Sequence, residues 1–339
     1  MCAFSVQKWR ETAQCDALKR TKGGRCIAKY LAKRLAQSLI AILGITVVVF
    51  VILHLTGDPV ELMVSPTTSR EQMDILRQEM GFNDPLPQQY LRFLKGAVVG
   101  DFGTSYYYNE PAMRVVMERV PATLELAVAA LAIAVVLGIP AGVLSAVKRN
   151  SLSDGVIRVL ALLGQCLPAF WLGIMLIMAF SVNLGWLPTG GNSEGWRSLI
   201  MPAFTLGLFS AATICRLLRS NMIEVLGKEY IDVARAKGLR GSVVVMKHAF
   251  KNAFSSILTM LGMQFASLLG GSVITETVFA WPGIGRLVIQ SIQSSDFAVV
   301  ECIVFLLAVV FVVINFVVDH LPRICGADWK RWATRTWKI

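Results

Sequence analysis

Residues 228–251 read KEYIDVARAKGLRGSVVVMKHAFK, a charged stretch of soluble-protein character held between long apolar runs. From Met222 to Lys237 the residues are good helix formers without proline, and Gly238 stands where a helix C-terminus needs a backbone that tolerates positive φ. Gly241 and Ser242 supply a turn and an N-cap, and a second apolar-periodic run, Val243 to Phe254, follows at once. The spacing predicts a helix-turn-helix elbow over 222–251. Its face carries Glu229, Asp232, Arg235, Lys237, Arg240 and Lys247, interleaved with small Ala234 and Ala236 that would let a groove on another protein approach closely. Two readings stay open on this pattern: a docking knob, or a solvated basic loop that only sets membrane orientation.

The surroundings define the solvent. Of 339 residues, 55% are hydrophobic and only 16% charged, with a mean hydropathy of +0.59, which excludes a soluble domain of this size. Six uncharged runs suit a bilayer core of about 30 Å: Ser38 to Leu55, Leu126 to Val147, Val159 to Leu184, Ser198 to Cys215, Asn252 to Thr275 and Cys302 to Val318. An all-α integral membrane protein with six transmembrane helices is expected. With the N-terminus inside, 25 of the 33 Lys and Arg but only 8 of the 22 acids fall on the inner side, giving it +17 against −6 outside. That bias predicts an N-in, C-in topology and explains the basic character without nucleic acid. Four of the seven cysteines (Cys2, Cys15, Cys26, Cys325) fall on the inner side and three (Cys166, Cys215, Cys302) in or beside spans, so free thiols are expected.

The chain then divides into a basic cytoplasmic extension (1–30), a first transmembrane helix (31–56), an extracytoplasmic loop (57–120), a five-helix membrane domain (119–319) and a cytoplasmic tail (320–339). In the loop, Ser69 to Gln72 reads as a capping box for a helix closed by Gly81, and a second short helix follows Pro87. Tyr106 to Tyr108 read as interfacial anchors. Gly138 and Gly142, four apart, suit close helix packing in the second span. The link from Lys148 to Asp154 is too short for a domain. Glu276 lies at the outer end of the fifth apolar run, before the sharp turn at Trp281-Pro282-Gly283. An acid so near membrane depth is either functional or a wet carboxylate just past the interface. Glu276 and Trp281, with the neutral polar Gln165 and Gln264 inside spans, are candidates for an outer gate and pathway.

No GxxxxGK[ST] phosphate loop occurs, and His54, His248 and His320 have no metal-ligand spacing. No catalytic residue, metal site or cofactor is expected in this chain. A self-sufficient secondary transporter or channel is the rival class, though the uncharged runs offer no coupling group beyond neutral amides such as Gln165, Gln264 and Asn315.

EYIDVARAKGL resembles the EAA loop of binding-protein-dependent ABC importer permeases, with Asp232 in place of its Glu, Val233 and Ala234 for its alanines, and Gly238 as its glycine. LTGDP after the first span, GDFGTS, PATLELA at Pro121, LPAFWLG at Pro168 and ETVFAWPGIG at Glu276 follow in order, which is similar to the dipeptide, oligopeptide and nickel subfamily. The resemblance covers roughly Lys29 to Asp319. It implies a type I importer permease fold in a bacterial inner membrane and a homologous second permease. Two ATPase subunits holding ATP and Mg would sit on the elbows through Glu229, Asp232, Ala234, Arg235 and Gly238, and a solute-binding protein would deliver dipeptides or oligopeptides. Glutathione-like peptides, nickel chelates, opines or oligosaccharides are the alternatives. Two departures stand out: Asn252-Ala-Phe-Ser-Ser256 lacks the family's helix-bending proline, and CGADWKRWATRTWKI after Ile324 is atypical.

Overall fold

The computed structural model describes residues 23–56, 70–80 and 83–336, which are helical apart from turns and one isolated antiparallel bridge between Thr104 and Pro111. The expected cap at Ser69, the stop at Gly81 and Gly57-Asp58-Pro59 lie outside these residues. The chain divides at Leu55 into two compact units. The first contains α1, Gly23–Thr56, whose apolar part is Ala36–Ile52. Helix thus begins within the stretch expected as a basic extension over 1–30, ahead of the apolar part.

The second unit starts with α2 (Arg70–Met80), α3 (Leu86–Val99) and α4 (Ala112–Met117), followed by α5 (Val120–Val147), the first long apolar helix of this unit. α6 (Leu152–Cys166) and α7 (Ala169–Leu176) come next, the latter continuing as a π-helical stretch, Ile177–Asn183. α8 (Trp196–Leu226) leads to the short α9 (Glu229–Ala236) and α10 (Gly241–Val243), then a second π-helical stretch, Val244–Phe250, and α11 (Lys251–Gly271). α12 (Val273–Val278), α13 (Ile284–Gln293) and α14 (Phe297–Thr336) complete the unit. α14 runs past residue 320, so no break marks the expected start of the tail.

Among the described residues, three helical stretches are individually long and apolar enough to cross a membrane, and two bent pairs raise that to five. The third span expected as one run, Val159 to Leu184, is instead α6 and α7 meeting at 101°. Pro168 causes this: its ring disfavours helical backbone at Leu167, which is extended (φ −71, ψ 125) and closes α6 by donating to Leu163 O at 3.0 Å. The fifth span bends by 51° between Gly241–Phe254 and Ser256–Gly270 without the family's proline. A π-helical stretch precedes that bend and displaces the hydrogen-bond register in its place.

α5 and α8 form the spine, and they run parallel. A Cβ on Gly138 would lie 2.7 Å from Ala211 O, one on Gly142 2.9 Å from Cys215 O, and one on Gly207 2.8 Å from Ala130 O. Backbones this close admit only glycine, the arrangement expected of Gly138 and Gly142. Among the described residues, the segment before α5 shares its core with the end of the chain: Ala97, Phe102, Ala112, Val115 and Val116 bury against Ile284, Leu287, Val299 and Ile303 of α13 and α14.

Candidate functional site

The elbow differs from its expected form in three ways. α8 ends at Leu226, Gly227 caps it and Lys228 is extended (φ −86, ψ 142), so the helix expected over 222–237 is two helices. The glycine at 227 breaks what the helix-forming residues around it suggest. Arg240, not Ser242, holds the N-cap position of the next helix, accepting from Val243 N at 2.9 Å. Ala234 is buried with Ile231 against Met222, Val225, Val244 and Ala249, so it faces inward and only Ala236 belongs to the exposed face. Gly238 does adopt the left-handed conformation, φ +75, that its position calls for.

What α9 presents outward is a charged ridge with apolar tips. Glu229, Asp232 and Arg235 are exposed, the last two paired at 3.5 Å, beside Val233 and Leu239 at 45% and 40% exposure. Beneath the ridge, Asn252 Nδ2 donates to Tyr230 Oη at 3.1 Å. Burial pushes the Tyr230 phenol pKa up, opposed by that hydrogen bond and by Lys228. The inward face is packed as a solid body onto α8 and the π-helical stretch, so displacement of the ridge must displace those helices too.

A polar clamp that the sequence did not bring out sits near the ends of α5 and α8. Asp154, fully buried, accepts from Arg219 Nε and Nη2 at 2.9 Å each, from Ser145 Oγ at 2.6 Å and from Asn150 N at 3.0 Å. This fork-to-carboxylate pair ties α5, α6 and α8 together. The only sequence signal was a single acid in a link that otherwise holds Lys148, Arg149 and small polar residues around Leu152.

Gln165 and Gln264, distant in sequence, line one cleft of about 310 Å³. Its walls come from the α6–α7 break (Leu167, Ala169, Leu172), from α8 (Thr205, Phe209, Ser210) and from α11 (Ser267, Leu268). All are neutral. Broken helix at membrane depth is tolerated where it lines such a cavity, because freed backbone groups can be hydrated there. Gln165 Nε2 donates to Thr213 Oγ1 at 2.9 Å, and its Oε1 accepts from Arg216 Nη1.

Glu276 and Trp281 are not part of that cleft. Glu276 is 0% exposed, which removes the wet-carboxylate alternative. Its Oε1 accepts from Thr123 Oγ1 at 2.9 Å and Ser272 Oγ at 2.8 Å, and its Oε2 accepts from Arg286 N at 3.1 Å in the first turn of α13. Trp281 is buried and its Nε1 donates to Ala122 O at 2.8 Å. The left-handed Ala280 (φ 49) between them is held by Arg286 Nη1 on its carbonyl at 2.7 Å. Together these groups lock the turn from α12 to α13 onto the start of α5. Nearby, Asp296 is buried and accepts from Ser105 Oγ of the GDFGTS turn. Burial pushes its pKa up, against that hydrogen bond.

A multi-pass helical protein with a neutral cleft between broken and parallel helices, and a packed elbow presenting a charged ridge, has the architecture of a transport permease. Residues 138–330 match the family described as Binding-protein-dependent transport system inner membrane component, and residues 27–127 match Binding-prot-dependent transport system membrane comp, N-term. The chain belongs to this family of ABC importer permeases. It is 39% identical over 293 residues to the Glutathione transport system permease protein GsiC of Escherichia coli (strain K12), covering 86% of this chain and 95% of that one. To the protein of the same name from Pectobacterium atrosepticum it is 41% identical over the same span. In three dimensions it is similar to inward facing conformations of the MetNI methionine ABC transporter, with a TM-score of 0.54, 21% identity, and coverage of 62% of this chain and 96% of that one. An amino acid ABC transporter structure aligns with a TM-score of 0.51 and 19% identity, covering 62% of this chain and 94% of that one. These two likenesses speak to fold alone.

Proposed function

We propose that this permease carries small peptides, glutathione-like tripeptides first and other dipeptides or oligopeptides next, across a bacterial inner membrane. The relatives named as glutathione permeases support that order. The chain contributes six spans, N-in and C-in, with the α1 region crossing first. It pairs with a homologous permease, takes substrate from an extracytoplasmic solute-binding protein and leaves ATP and Mg to two ATPase subunits.

The observation that carries this reading is the elbow. Glu229, Asp232, Arg235 and Gly238 form an exposed ridge whose reverse side, Ile231 and Ala234, is fused into the core around α8. ATPase closure acting on the ridge would move α8, one wall of the cleft that holds Gln165 and Gln264. At the far end, Glu276 and Trp281 brace the α12–α13 turn against α5 and act as the fulcrum of the outer gate.

Reconstitution into vesicles with both permeases, both ATPases and the loaded binding protein tests the proposal. Uptake of a labelled tripeptide should require ATP and be insensitive to collapse of the proton gradient. Uptake driven by a proton gradient without ATPase subunits would instead identify a secondary transporter.

A further inference from the structure

Two arginines one helical turn apart on α8 have opposite environments. Arg219 is neutralised by buried Asp154. Arg216 is exposed, and among the described residues its guanidinium has no carboxylate within 4.0 Å, its partner being the neutral Gln165 Oε1.

Depth makes this notable. Cys215, next to Arg216, packs on Gly142, which precedes the end of α5 at Val147 by about 7 Å of helix rise. An arginine there could be expected to snorkel toward the nearer, charge-rich water. It reaches the other way. Side chains on a helix lean toward its N-terminus, which for α8 is Trp196, and Gln165, which holds the Arg216 guanidinium, also bonds Thr213, nearly one turn closer to that end. Gln165 is at the same time a wall of the cleft of about 310 Å³, whose lining carries no charge of its own. A cation at membrane depth must face protein or a wet cavity, and Arg216 is joined to such a cavity through Gln165, which lines it; among the described residues the other donors of its planar fork meet no carboxylate.

From this we infer that Arg216, positioned by Gln165 and Thr213, binds a substrate carboxylate passing through the cleft. The inference rests on the peptide-permease reading and deepens it: the chemistry recognised is a free peptide carboxylate. Amide-bearing Gln165 and Gln264 suit peptide-bond groups, and the guanidinium fork suits the two oxygens of a carboxylate.

The test uses the full reconstituted complex and two peptides of one sequence, one ending in a free carboxylate and one in an amide, each supplied at a concentration that saturates the binding protein. Wild type and variants face the same binding protein, so its own preference cancels when they are compared. Arg216→Gln should lower uptake of the free-acid peptide about tenfold while changing uptake of the amide little, and Arg216→Lys, which keeps charge without the fork, should fall between. Equal loss for both peptides would overturn the inference and point to a structural pairing of Arg216 with a protein carboxylate. No loss for either would overturn it as well, leaving the peptide reading standing. A wild-type complex that hydrolyses ATP but moves neither peptide would refute the peptide reading and this inference together.

Discussion

Glu276→Gln changes one oxygen to an amide nitrogen in a site with no slack. If the amide oxygen keeps the Thr123 and Ser272 hydroxyls at 2.9 and 2.8 Å, the new NH₂ confronts Arg286 N–H, donor against donor. If the amide flips, the NH₂ meets two hydroxyls, of which Thr123 Oγ1 already accepts from Ile284 N at 2.8 Å. The side chain has no room to back away, since a Cβ on Gly283 would fall 2.4 Å from Glu276 Oε2. One charge-assisted hydrogen bond is lost and one buried N–H orphaned, a destabilisation of about 2–3 kcal/mol, enough to lower the apparent Tm by several degrees. The assay is a thermal melt of the purified protein in nanodiscs, followed by the monodisperse fraction. Gly283→Ala should destabilise by crowding the same oxygen and Thr123 Oγ1 at 2.5 Å, and its effect should shrink only in part when the Glu276 side chain is removed, because the Thr123 contact stays. A Glu276→Gln protein that melts with wild type but transports poorly would refute the latch and restore a carboxylate facing the pathway.

Gly142→Leu should destabilise by about 1–3 kcal/mol through overpacking against Cys215 O and the Leu218 side chain, seen as loss of monodisperse protein after gentle heating. Residues 57–120 expressed alone should show no cooperative melt by circular dichroism, because Phe102, Val115 and Val116 bury against α13 and α14.

Helical membrane character, the left-handed Gly238 and the close packing at Gly138 and Gly142 were legible because each depends on local residue chemistry. Pro168 announced a break, yet the apolar run continued through it, and run length alone cannot tell a straight span from one bent by 101°. Gly227 was outweighed by the helix formers on either side. Glu276 stood out as an acid near membrane depth, but whether it is wet, in a pathway or latched depends on Thr123, 153 residues away, which no local pattern supplies. The Asp154–Arg219 clamp, 65 residues apart, was hidden for the same reason. Arg216 merely ended an uncharged run; counted for orientation, its charge says nothing of which way the side chain turns.

The most direct measurement of the coupling claim exchanges the charges of the ridge, Asp232→Arg together with Arg235→Asp. Both side chains are exposed and paired at 3.5 Å, and the exchange keeps their mutual attraction while Ile231 and Ala234 stay buried beneath them, so the permease should insert and remain monodisperse. With the outward charge pattern inverted, the ATPase subunits should no longer co-purify in detergent and ATP-driven uptake should vanish. Wild-type co-purification and uptake by this double variant would contradict the account.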